Sequence, residues 1–98
     1  MLANKKIDSL TIDNIKKLSN KTLNGKNDSD QHLLTLFSLA LSCKGTKYLE
    51  LGVRNGDTTL PILMAAKLNE GKLISVDIKK TTFKPNIIYK KNFKFVKK

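Results

Sequence analysis

Ninety-eight residues supply one modest core, so the chain forms a single small domain or part of a larger one. Nineteen basic residues against eight acidic give a net charge of +11, and all but Arg54 of the nineteen are lysine. A single cysteine excludes an internal disulfide and fits a reducing, cytoplasmic setting; the start, MLANKKIDSL, lacks the apolar core of a secretory signal, and the most apolar segment, 33–41, has about half the length that spans a bilayer.

Residues 1 to 23 read as an amphipathic helix, with Ile7, Leu10, Ile15 and Leu18 on one face and lysines and asparagines on the other. Ser9 or Thr11 is its candidate cap. The run NGKNDSD, 24–30, is a loop, which divides the chain into an N-terminal helix-and-loop unit, 1–28, and an α/β unit, 29–98. Asp28, Ser29 or Asp30 then caps a second helix ending near Cys43. Its leucines, with Phe37 and Ala40, cover most of its circumference and predict that it is largely buried. Gly45 suits the left-handed residue past its end. Cys43 reads as a small buried hydrophobe, and His32 as a solvated side chain with no partner in the sequence.

Two short apolar runs follow, 47–51 and 72–76. Neither alternates cleanly, which suits parallel strands covered on both faces. Between them 58–69 reads as a helix, with Thr58 or Thr59 as cap and Pro61 tolerated in the first turn. Glu70-Gly71 closes it. Past Asp77 the chain is loop-like through Pro85, 86–91 is ambiguous between a short helix and a strand, and 93–96 has the length and composition of a third strand. The fold class is α/β, built on one right-handed β-α-β unit.

The chemistry-bearing residues gather at that unit. The first strand stops at an acid, Glu50, and turns through Gly52 and Gly56; the second ends on another acid, Asp77. Gly52 allows a sharp turn, and Gly56 leaves room for a ligand to approach the backbone. Asp77 lies 21 residues beyond Gly56, close to the spacing at which a carboxylate reaches ribose hydroxyls. Glu50, at the other lip, favours a cationic ligand group. This is the layout of a nucleotide-type cofactor site at the carboxyl ends of neighbouring parallel strands.

The stretch Glu50-Leu51-Gly52-Val53-Arg54-Asn55-Gly56-Asp57-Thr58 resembles the first motif of class I S-adenosylmethionine-dependent methyltransferases, within them the small O-methyltransferase-like branch. The resemblance implies a Rossmann-like sheet in the order 3-2-1 and S-adenosylmethionine as cofactor. It also implies that Glu50, Gly52 and Gly56 line the methionine end, that Thr58 stands beside the cofactor, that Asp77 takes the ribose, and that Val53, Arg54 and Ile78 border it. In the family's full sheet the first strand is central. The chain is therefore expected to be a truncated, N-terminal part of a methyltransferase acting on a small-molecule acceptor. Its unpaired first strand invites self-association or a missing C-terminal half. No residue is assigned as catalytic base, and no metal is expected.

Two alternatives stand beside this. One is a non-catalytic remnant or interaction module that keeps the scaffold. The other is a basic nucleic-acid-binding protein working through the eight lysines between Lys79 and Lys98. Nucleic-acid readers favour the forked guanidinium of arginine, which is nearly absent, so the tail reads as lysine bias and neither a nucleic-acid nor a membrane partner is expected.

Overall fold

In the computed structural model of the chain, residues 9–25 and 32–98 are described. Along the chain lie α1 (Ser9–Asn24), α2 (Leu33–Ser42), β1 (Lys47–Leu51), α3 (Thr59–Leu68), β2 (Lys72–Asp77), a 3-10 helix (Ile87–Asn92) and β3 (Phe93–Lys97). The strands form one parallel sheet in the order β1-β2-β3, which is the 3-2-1 order expected, with Glu50 beside Ser75 and Asp77 beside Lys97. No helix among the described residues is long and apolar enough to cross a membrane.

α3 holds the structure together because it is apolar on every side. It packs on β1 and β2, on the 3-10 helix and on α2, so Leu63, Met64, Ala65 and Ala66 are all buried. With Leu18, Leu33, Phe37, Leu73 and Tyr89 they make one core, in which each large side chain contributes about 2 kcal/mol. Leu18 brings α1 into that core, and the Asn14 side-chain amide donates to the buried Tyr89 hydroxyl at 2.8 Å. At the far end of α3, Asn69 donates to the Tyr48 hydroxyl (2.7 Å) and to the Leu41 carbonyl (3.1 Å), while Tyr48 itself donates to the Ala40 carbonyl (3.0 Å). These bonds tie the ends of α2 and α3 to the start of β1.

Several local expectations change. α2 buries only Leu33 and Phe37; it is an outer layer with α3 on one side and α1 along another, and Leu39 is 61% exposed. Cys43, at its C-terminal cap, is exposed for the same reason. The left-handed residue after α2 is Lys44 (φ 54°) and not Gly45, and Glu70 (φ 56°) does the same after α3. Gly71 serves by closeness instead: a Cβ there would stand 2.6 Å from the Thr46 carbonyl oxygen, whose backbone crosses it at the foot of the sheet.

At the N-cap of α2 is His32, exposed and without a capping side chain; the helix's Leu34 N–H instead donates to Thr22 Oγ1 of α1 at 3.3 Å. The caps expected at Asp28, Ser29 or Asp30 lie outside the described residues, as does Ile7. Ser9 is the first residue of α1 rather than its cap. Residues 87–92 resolve to a 3-10 helix because Asn86 Oδ1 accepts the Ile88 N–H and starts the turn after Pro85. Among the described residues the sheet is covered on one face only, where the expectation was of two covered faces. Among them too, β1 is an edge strand, with no strand beside it on the side away from β2.

Candidate functional site

The parallel register brings both acids to the carboxyl rim of the sheet and onto the same face. Glu50 pairs with Ser75, and Asp77, two residues further along β2, shares Ser75's face. Between the strands the chain turns through Gly52 (φ 87°), Arg54 (φ 51°) and Gly56 (φ 86°) before α3 begins. Leu51, Gly52 and Ile78 lie open at this rim, whereas Val53 is buried beneath it.

Glu50 is turned inward. Its carboxylate accepts three hydroxyl bonds, from Thr58 (2.8 Å), Thr59 (2.6 Å) and Ser75 (2.8 Å). Thr59 and Ser75 are themselves fully buried. Thr58 is the N-cap residue of α3, yet its hydroxyl goes to Glu50 rather than to a backbone N–H. The acid therefore clamps β1, the start of α3 and β2 together.

Asp77 holds the turn from the other side. Its Oδ2 accepts the backbone N–H groups of Val53 (2.8 Å) and Arg54 (3.3 Å), and its Oδ1 accepts that of Lys79 (3.2 Å). The Gly52 N–H donates to the Val76 carbonyl at 2.8 Å, which fastens the same turn to β2. The N–H of Val53, then those of Lys79 and Arg54, hold the Asp77 carboxyl well below its ordinary value of 3.8, at about 2.

A depressed carboxyl stabilises the fold when ionised. That contribution is complete above 3.8 and is lost as pH falls from there through about 2. Thermal melts of the chain should thus drop across that acid window, and Asp77→Asn should flatten the drop. An identical pH profile for the two proteins would show that Asp77 does not hold the turn.

The two glycines play different parts. Around Gly52 an added Cβ would meet nothing within 4 Å, so its left-handed backbone leaves open space beside the rim. At Gly56 the space is filled: the Phe83 ring lies directly on the backbone, and a Cβ would stand 2.6 Å from Phe83 Cβ and nearer still to the ring. Phe83 belongs to a strap, 78–86, laid over the turn. The Thr81 hydroxyl donates to the Arg54 carbonyl (2.6 Å) and the Thr82 hydroxyl to Asn55 Oδ1 (3.2 Å), and Phe83 packs edge-on against Phe93 with ring centres 5.5 Å apart. The room expected over Gly56 for a ligand is held by this ring.

Beside Gly56 and Phe83 a cavity of about 230 Å³ opens between α1 and the turn. Leu18, Leu33, Leu60 and Phe83 give it apolar walls, and Asn14, Asn55 and the Lys21–Asp57 ion pair (3.1 Å) stand at its polar side. Neither α1 nor Phe83 was among the candidate site residues, and neither were Thr59 and Ser75. Of these only Ser75 left a trace in the sequence, as the one polar residue of an otherwise apolar strand interior.

No family model, curated protein or solved structure matches the chain. The architecture on its own is a small α/β fold with a three-stranded parallel sheet, compatible with the Rossmann-like class.

Proposed function

We propose that the chain is the S-adenosylmethionine-binding part of a class I methyltransferase, with the cofactor held at the rim formed by Gly52, Val53, Arg54 and Asp77. The observation that supports this reading most is the convergence at one rim of a left-handed Gly52 with open space beside it and the Asp77 carboxylate, on the same β-α-β unit as the motif 50–58. The residues fit such a group at Gly52. At Gly56 and Asp77 they fit it only with the strap lifted, because Phe83 covers the one and the Lys79 N–H engages the other. The cofactor supplies an activated methyl group on sulfur. The chain's own residues bind and orient: Asp77 offers acceptors to ribose hydroxyls once Lys79 withdraws, and Glu50 keeps the turn in shape through its three hydroxyl partners. Thr58, bonded to Glu50, fixes where α3 begins, and Ile78, exposed beside Asp77, gives the rim an apolar border.

If the strap and the cofactor compete for one place, the apparent affinity is reduced by the fraction of molecules with the strap open. Calorimetric titration with S-adenosylhomocysteine should show weak binding to the unaltered chain and binding roughly ten-fold tighter to Phe83→Ala. Asp77→Asn should bind less tightly than either. No heat with any of the three proteins contradicts the reading.

One observation favours a second reading, a non-catalytic scaffold: both rim acids already have internal partners, as a purely structural turn requires. Absence of binding by Phe83→Ala, with its fold intact, is the outcome that selects this alternative.

A further inference from the structure

Parallel strands are ordinarily covered on both faces, because their crossover connections lay helices there. Here α3 and the 3-10 helix cover one face. Since paired residues share a face, the other carries Lys47, Leu49 and Leu51 of β1, Lys72, Ile74 and Val76 of β2, and Lys94 and Val96 of β3. Leu49 and Leu51 are 67% and 77% exposed, and Ile74 is 38% exposed. The face is divided in character. Leu49, Leu51, Ile74, Val76 and Val96 form an apolar patch toward the carboxyl ends of the strands. Lys47, Lys72 and Lys94 border it toward the amino ends and the β3 side. No acid stands among these strand positions, and none of the three lysines is ion-paired among the described residues.

We propose that this face is the docking surface for an amphipathic helix of another protein, one whose apolar stripe is flanked by glutamate or aspartate. An apolar patch this exposed marks an interaction site, and the charge beside it selects the occupant. An acidic flank would meet Lys47, Lys72 and Lys94, while a leucine stripe would cover Leu49, Leu51 and Ile74. A second copy of the chain is a poor occupant, since two such faces would set lysine against lysine in molecules that each carry +11. Nucleic acid would engage the lysines but gains nothing from the five apolar side chains next to them. The dimensions agree with a helix: a five-residue strand spans about 17 Å, the length of about three helical turns. This inference does not use the cofactor reading: the face lies on the opposite side of the sheet from Glu50 and Asp77.

The test uses the full chain and a synthetic helical peptide of about four turns with leucines at i, i+3, i+4 and i+7 and flanking glutamates, followed by fluorescence anisotropy. A companion peptide carries lysine in place of every glutamate. The glutamate peptide should bind in a saturable one-to-one manner that weakens with added salt, and the lysine peptide should not bind. Leu49→Ser should weaken the glutamate peptide roughly ten-fold. Lys72→Glu, an exposed change that leaves the core untouched, should weaken it comparably and make the lysine peptide the better ligand, roughly reversing the preference. If Leu49→Ser fails to fold, this reversal carries the test alone. Equal binding of the two peptides, no binding of either, light scattering that reports a dimer, or a DNA duplex that displaces the glutamate peptide overturns the proposal.

Discussion

Glu50→Ala is expected to lower the melting temperature by about 12–30 °C, from a loss of about 3–4 kcal/mol in a domain where each kcal/mol moves the midpoint by about 4–8 °C. The three hydroxyls that converge on Glu50 come from Thr58, Thr59 and Ser75, and the last two have no contact with solvent. Alanine removes the shared acceptor and leaves two fully buried donors unpaired, each costing about 1–3 kcal/mol, along with the space the carboxylate filled. Glu50→Gln keeps the shape and one oxygen. Its carbonyl can serve Thr59 and Ser75 while its amide faces Thr58, whose hydroxyl can turn to accept, so it should cost only about 1 kcal/mol. A large gap between alanine and glutamine in thermal or urea unfolding is the expected signature. Equal melting of Glu50→Ala and the unaltered chain would mean that the buried network does not hold the β1–α3–β2 junction.

The second large effect is expected at the turn itself. Gly56→Ala places a methyl group where the Phe83 ring lies and puts a side chain on a residue with φ 86°. The backbone conformation alone costs about 1–2 kcal/mol for an L-residue. Moving Phe83 forfeits its edge-on contact with Phe93 and strains the bonds from Thr81 and Thr82 to the turn, for a total of about 3 kcal/mol. Pairing it with Phe83→Ala separates the two terms. In the Phe83→Ala background Gly56→Ala should cost only the φ term, because the ring it would strike is gone, so the two changes should be strongly non-additive. Additive losses would show that Gly56 and Phe83 do not meet.

Much of the scaffold was legible in the residues. β1 keeps the bounds read from KYLEL, α3 starts one residue past Thr58 with Pro61 inside its first turn, and the sheet runs parallel in the order anticipated. Those features rest on local apolar runs and turn residues, which is the information periodicity carries. Partnerships between distant segments were not legible. Ser75 lies 25 residues from Glu50 and Phe83 lies 27 from Gly56, and neither separation follows from strand or helix period. The acids and glycines were recognised as a cluster, but an open ligand site and one packed against its own strap leave the same pattern in the chain.

The surface errors have a common origin as well. A helix rich in leucine predicts burial only if neighbours exist on all sides, and α2 has α3 on one side and α1 along another. Leu39 and Cys43 are exposed through want of neighbours, not through their own chemistry. The same holds for Leu49 and Leu51, on the side of the sheet that no described element covers. Composition reports what a residue prefers, and topology decides whether the preference is met.

By the proposed function, the rim at Gly52 and Asp77 receives the adenosyl part of the cofactor once the strap lifts. Amide chemical-shift mapping of the ¹⁵N-labelled chain with S-adenosylhomocysteine tests it most directly, because it locates binding as well as detecting it. Saturable shifts are expected at Gly52, Val53, Arg54 and Lys79, with matching changes at Phe83. Shifts confined to other residues, or none at millimolar ligand, would contradict it.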